Sequence, residues 1–118
     1  MIHIMKPDFE FSDERGFLCQ LVHDGWKQVN VVTSKAGVRR GGHYHRLNRE
    51  AFYVVEGSFS LSVTDGNQTE TYTFRKGNMF LIEPGIRHDF IYLEDTVLVG
   101  LYDCGVESPD GTKDIYVD

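Results

Sequence analysis

The sequence predicts an all-β chain, folded as a sandwich or barrel, on three observations. Short runs rich in β-branched and aromatic residues recur along its length. Turn-forming residues separate those runs, and no segment carries a sustained 3.6-residue apolar stripe, so helix is expected to be minor.

Taken in order, KQVNVVTS (27–34) is the first strand. It puts Gln28, Asn30 and Ser34 on one face and Val29, Val31 and Thr33 on the other. The polar row faces either water or a polar interior that holds a polyhydroxylated ligand. In the second case Gln28 and Asn30 are substrate-binding candidates. Gly37 and Gly41-Gly42 punctuate the next stretch. AFYVVEG (51–57) and SFSLSV (58–63) follow, and Asp65-Gly66-Asn67 closes a hairpin onto ETYTF (70–74). Lys76-Gly77 leads into MFLIE (79–83), Pro84-Gly85 into HDFIYL (88–93), and TVLVGLYD (96–103) is the last strand. The polar tail ESPDGTKDIYVD is expected to pack as a loop or an edge strand.

At 118 residues the chain fits one domain, 1–118, with a single core. Its 41% hydrophobic content suits a globule. A net charge of −6 without a basic cluster lacks the electrostatic footprint of a nucleic-acid binder. No apolar stretch approaches the ~20 residues of a membrane helix, and MIHIMKPDFE has no signal-peptide h-region. Cys19 and Cys104 stand alone, outside any CxxC spacing, which suits a reducing compartment. The expected location is the cytoplasm.

The chemistry is concentrated in KAGVRRGGHYHRLNREAFYVVEG, where Gly37, His43, His45, Glu50 and Gly57 stand as Gly-x5-His-x-His-x4-Glu-x6-Gly. Imidazoles at i and i+2 share one face of a strand. A carboxylate from the next strand can meet them there. Two neutral nitrogens and an anionic oxygen suit a divalent ion, at ~2.0–2.2 Å for zinc. KGNMFLIEPGIRH adds His88 as a fourth ligand. Zinc is the first choice, with Ni, Mn or Fe as alternatives, since this donor set does not fix the metal.

These two motifs together resemble the signatures of the cupin superfamily of small β-barrels. Pro84 sits one place late, and Tyr92 stands where many members have Asn. The resemblance implies a single-domain, RmlC-like jelly-roll β-barrel. FSDERGFL (11–18) followed by QVNVVTSKAGVRRGGHYH (28–45) is similar to the sugar-nucleotide members. The 3,5-epimerases of rhamnose synthesis carry a D-x-R-G-x-[FL] opening, a Q-x-N strand and an R-G-x-H-Y segment; there the histidine is the base and the arginine holds substrate. The 3,4-ketoisomerases carry R-G-x-H-x-H, as Arg40, Gly41, His43 and His45 do here. GGHYHRLNREAFYVVEG most resembles the zinc-binding C-terminal cupin of bifunctional capsular polysaccharide enzymes, over roughly residues 9–103. If that chemistry is shared, a reductase is either a separate polypeptide or not needed.

The resemblance implies an epimerase or ketoisomerase that removes a proton beside the carbonyl of a 4-keto-6-deoxy sugar nucleotide, in surface polysaccharide synthesis. Such chemistry needs a base, an acid and a group that stabilises the enolate oxygen. Arg39 or Arg40 would grip the pyrophosphate or the ketone. His43 cannot ligate a metal and act as base through the same lone pair, so Tyr92, in phase with His88, and then Tyr102 are further acid–base candidates. Two alternatives are a metal-dependent cupin oxygenase or hydrolase, and a non-catalytic small-molecule-binding cupin. Related sugar cupins pair through N-terminal strands, and MIHIMKPDFEF is apolar enough to add to a partner's sheet, so a homodimer is expected.

Overall fold

The computed structural model describes residues 1–117. Among them are eleven strands and no helix: β1 (Ile2–Met5), β2 (Phe9–Asp13), β3 (Gly16–Gln20), β4 (Gln28–Ser34), β5 (Arg39–His43), β6 (Glu50–Glu56), β7 (Ser58–Asp65), β8 (Gln68–Arg75), β9 (Met79–Ile82), β10 (Arg87–Tyr92) and β11 (Thr96–Tyr102). They form a five-stranded sheet, β1-β9-β6-β11-β4, a four-stranded sheet, β5-β10-β7-β8, and a separate β2-β3 hairpin. All pairings are antiparallel. The expected jelly roll is present, as two facing sheets. Hydrogen bonding does not run continuously from one sheet to the other, so the barrel is open.

Strand alternation builds the interior. On β7, Phe59, Leu61 and Val63 are buried, while Ser58, Ser60 and Ser62 between them are only partly so. They meet Phe52, Val54, Phe80, Ile82 and Leu98 from the other sheet, with Phe74, Phe90 and Tyr92 completing the core. Phe74 and Phe80 stack at 4.2 Å, and Phe90 stacks on Tyr92 at 5.9 Å. This aromatic filling occupies one part of the interior and leaves the other to polar groups. The five-stranded sheet is also covered outside, where Leu21, Val22 and Trp26 pack over Ala51, Met79 and Leu101.

The seven strands read from the sequence are all present, and four more accompany them. β1, β2, β3 and β5 lack long β-branched runs and are held by pairing. Ile2–Met5 pairs with β9 and forms one edge of the five-stranded sheet. On β4 the polar row turns inward, leaving Val29 61% and Val31 68% exposed.

Candidate active site and metal centre

Register brings the motif residues together. His43, at the end of β5, lies opposite His88 of β10 within the four-stranded sheet. Glu50, at the start of β6, lies opposite Tyr102 of β11 within the five-stranded sheet. The two pairs face each other across the interior, and His45 follows His43 on the same side. A bulge between His88 and Asp89 brings β10 against Gly41. Gly41 has φ +118°, and a Cβ there would stand 2.5 Å from the His88 carbonyl oxygen, so only glycine fits.

Backbone carbonyls fix two of the imidazoles. His45 Nδ1–H donates to the Asp114 carbonyl at 2.6 Å, and His88 Nδ1–H donates to the Ile86 carbonyl at 3.0 Å. A carbonyl only accepts, so in the neutral rings both Nε2 atoms carry bare lone pairs. Those atoms lie 3.2 and 3.3 Å from Glu50 Oε1, and neither contact has a hydrogen bond's alignment. All three residues are buried. Three acceptor atoms thus converge in a dry place with nothing to donate to them, an arrangement that a cation or a shared proton would satisfy. The side-chain nitrogens of His43, His45 and His88 lie within 4.8 Å of one another. The donor set therefore fits a divalent ion.

Burial disfavours charge on Glu50, but the His45 contact, the neighbouring His88 and a hydrogen bond from Tyr102 outweigh it and hold the carboxyl below its usual range. Burial also opposes charge on His45, yet Glu50 wins and raises it. Burial, reinforced by neighbouring imidazoles, lowers His43 and His88, so both rings are neutral near pH 7. Burial and Glu50 push the Tyr102 phenol far up. Tyr92 is raised by burial, against a Ser34 hydrogen bond and the Arg40 charge. Both tyrosines therefore stay protonated and are proton donors rather than bases.

A cavity of about 110 Å³ opens on this cluster, lined by Val32, Arg40, Gly41, His43, Glu50, Phe52, His88, Phe90, Tyr92, Leu98 and Tyr102. It is smaller than the ~300 Å³ of a typical whole-ligand site, so it suits the reacting end of a larger molecule. A larger cleft of about 370 Å³ shares Arg40 and presents Lys35, Glu56 and Asp95, but none of the histidines lines it. The chemistry belongs to the smaller cavity.

Strand alternation separates the two arginines. Arg40 borders the cavity while remaining exposed itself, its Nε donating to Ser34 Oγ at 2.8 Å and its Nη2 to the Thr33 carbonyl at 3.2 Å. Arg39 points outward, 63% exposed, and pairs with Asp89. Gln28 and Asn30 face inward but lie outside the cavity lining. The Gln28 amide donates to Asn30 Oδ1 at 3.3 Å and accepts the Val106 N–H at 2.8 Å, so it ties down the tail.

Sequence reasoning missed the groups behind the site. The Asp114 carboxylate accepts the N–H groups of Arg46, Leu47 and Asn48 at 2.8, 3.0 and 3.0 Å, and Asn48 Nδ2 at 2.8 Å. Burial would raise this carboxyl, but those donors hold it below its usual range. Asn48 Oδ1 in turn accepts the Cys104 N–H at 3.0 Å, and Asp103 holds Arg49. Nothing local in the tail announces these contacts.

Two facing antiparallel sheets with a His/His/Glu/His cluster at the polar part of the interior give a cupin-type jelly-roll fold. The chain belongs to the polysaccharide biosynthesis C-terminal domain family, whose profile matches residues 11–101. No curated protein matches it by sequence. Among solved structures it is similar to the 3,4-ketoisomerase QdtA of Thermoanaerobacterium thermosaccharolyticum, solved with TDP-4-keto-6-deoxyglucose, at 15% identity and TM-score 0.83, covering 99% of this chain and 87% of that one. A 3,4-ketoisomerase from Helicobacter canadensis gives 18% identity, TM-score 0.83 and coverages of 99% and 90%. The dTDP-4-dehydrorhamnose 3,5-epimerase of Sulfolobus tokodaii gives 24%, 0.74, and 93% and 74%. These likenesses establish the fold. No helix among the described residues is long and apolar enough to cross a membrane.

Proposed function

We propose that this chain is an epimerase or ketoisomerase acting on a 4-keto-6-deoxy sugar nucleotide in cell-surface polysaccharide biosynthesis. The observation that carries this reading is the cavity itself. Neutral His43, the cation of Arg40 and the protonated phenols of Tyr92 and Tyr102 line one small space. Family membership and the similar fold of enzymes that act on such sugars support the same class.

His45, Glu50 and His88 are assigned to one divalent ion, zinc being the first choice, because their three facing atoms are buried without hydrogen-bond partners. His43, whose nitrogen lies within 4.8 Å of those of His45 and His88, is read as the proton-transfer group rather than as the fourth ligand. Catalytic zinc sites keep three protein ligands and an open position, which leaves His43 free for proton transfer. When bound, the ion would polarise a carbonyl oxygen beside it. His43 takes the proton from the carbon next to the ketone, and the C–H electron pair forms the enolate double bond while charge moves to the carbonyl oxygen. A protonated tyrosine beside that oxygen donates a hydrogen bond to it. Return of a proton to the opposite face of the same carbon gives the epimer, whereas return to the former carbonyl carbon, with the neighbouring hydroxyl's proton passing to the former carbonyl oxygen, gives the ketoisomer. Arg40, already anchored by Ser34, is placed to hold a phosphate or the ketone through charge-assisted bonds.

We further infer a homodimer. Val29 and Val31 on the edge strand β4, and Phe11, Phe17 and Leu18 on the β2-β3 hairpin, are all 49–68% exposed. Such apolar surface at sheet edges calls for a cover, and a second copy of the chain supplies one.

The reaction is tested by proton NMR in D2O with TDP-4-keto-6-deoxyglucose and related 4-keto sugar nucleotides. Loss of one ring C–H signal is expected. Its persistence with every such sugar, by a folded and zinc-loaded protein, would overturn the reading.

A further inference from the structure

The C-terminal segment 105–117 lies beyond the 11–101 stretch shared with the family, yet it reaches the proposed metal centre. Its course is set by hydrogen bonds. Val106 N–H donates to Gln28 Oε1 at 2.8 Å, Asp114 N–H to the Val106 carbonyl at 2.7 Å, and Tyr116 and Tyr44 exchange two backbone bonds at 3.0 Å. Arg46 lies 4.0 Å over the Tyr116 ring. The segment is thus pinned on both sides of His45.

Asp114 makes two kinds of contact there. Its carbonyl takes His45 Nδ1–H, and its carboxylate takes all three amides of residues 46–48, the loop that separates His45 from Glu50. Asp114 is 4% exposed and Asn48 1% exposed, so water does not replace these bonds. Removing the carboxylate would leave three amide donors without an acceptor and let the loop relax.

We propose that Asp114 is a positioning residue for the metal centre, its carbonyl fixing His45 with Nε2 bare toward Glu50 and its carboxylate freezing the spacing of the two ligands. The C-terminal segment is then a strap that sets affinity for the ion. Groups behind metal-bound histidines act in this way, and their loss costs ~10–100-fold in affinity. The inference rests on the reading that His45, Glu50 and His88 hold a divalent ion.

The test is zinc affinity of the full chain, by competition with a chromogenic chelator, together with folding by near-UV circular dichroism. Asp114→Ala should bind zinc ~10–100-fold more weakly. Lys113→Ala, whose side chain takes no part in the Asp114 bonds, should bind as wild type. Phe74→Leu, in the core outside the cavity lining, should lower Tm without moving zinc affinity, which separates positioning from general loosening. An Asp114→Ala protein with wild-type affinity would overturn the inference while sparing the metal reading. Wild type that takes up no zinc would remove both. Should Asp114→Ala not fold, nitrogen NMR of zinc-loaded wild type decides. A slowly exchanging His45 Nδ1–H is expected, and an unprotonated Nδ1 would overturn the proposal.

Discussion

Glu50 Oε1 and His88 Nε2 stand 3.3 Å apart across the space between the two sheets, buried and without a hydrogen-bond partner. Each belongs to a strand whose register is pinned by neighbours, Glu50 opposite Tyr102 and His88 opposite His43. The fold therefore forces two acceptors together, at a cost of roughly 1–3 kcal/mol for each unsatisfied group. A cation or a shared proton between the two atoms would remove that cost.

Zinc binding should repay this cost as stability. At a free zinc concentration 100-fold above Kd, the folded state gains about 2.7 kcal/mol, read as a rise in Tm over chelator-treated protein. Glu50→Gln and His88→Ala should each abolish the rise. A wild-type Tm indifferent to zinc and chelator, with far less than one ion per chain by elemental analysis, would contradict the assignment.

The two adjacent arginines should behave differently. Arg40→Ala removes a charge-assisted contact at the cavity and should weaken sugar-nucleotide binding by about 1.5–3 kcal/mol, seen as a KM raised roughly tenfold or more. Arg39→Ala removes only a surface pair with Asp89, worth below about 1 kcal/mol, and should leave KM unchanged. Equal effects from the two would take Arg40 out of the substrate site.

Gly41→Ala tests whether the bulge aims the histidines. The residue sits at φ +118° against the His88 carbonyl, so an added Cβ must move β5 away from β10. Strain of this kind costs on the order of 1–3 kcal/mol. The variant should lose several degrees of Tm and bind zinc more weakly. Wild-type values for both would show that the close approach is dispensable.

Association is expected through exposed sheet surface. Light scattering should give a dimer for wild type and a monomer for Val31→Lys, because a charge buried in an apolar contact is costly. Val31 is 68% exposed in the single chain, so the substitution should leave Tm of the monomer intact. A wild-type monomer at high micromolar concentration would refute the dimer.

His43 and His45 were legible as a pair because their relation is local, whereas Glu50 and His88 were legible only through the spacing of the two motifs. An i, i+2 pair on a strand shares a face whatever surrounds it, and His43 and His45 do. The strand read for His43 and His45 is present as β5 but ends at His43, and its first four residues were not legible, since Arg39, Arg40, Gly41 and Gly42 carry no strand preference and are held extended by pairing with β10. The choice between Arg39 and Arg40 needed the direction in which that strand faces. Asp114 was invisible for another reason: its partners Arg46, Leu47 and Asn48 lie 66–68 residues away, and a lone acid in a polar tail gives no sign of them.

We infer that His43 moves a substrate proton while His45, Glu50 and His88 hold an ion. This is tested most directly by His43→Asn, measuring zinc content and deuterium exchange into TDP-4-keto-6-deoxyglucose, or whichever 4-keto sugar nucleotide wild type exchanges, on the same sample. One zinc per chain, as in wild type, and loss of ring C–H exchange are expected. A His43→Asn protein that exchanges at the wild-type rate would contradict this assignment. So would one that loses its zinc, which would make His43 a ligand and move proton transfer to another group.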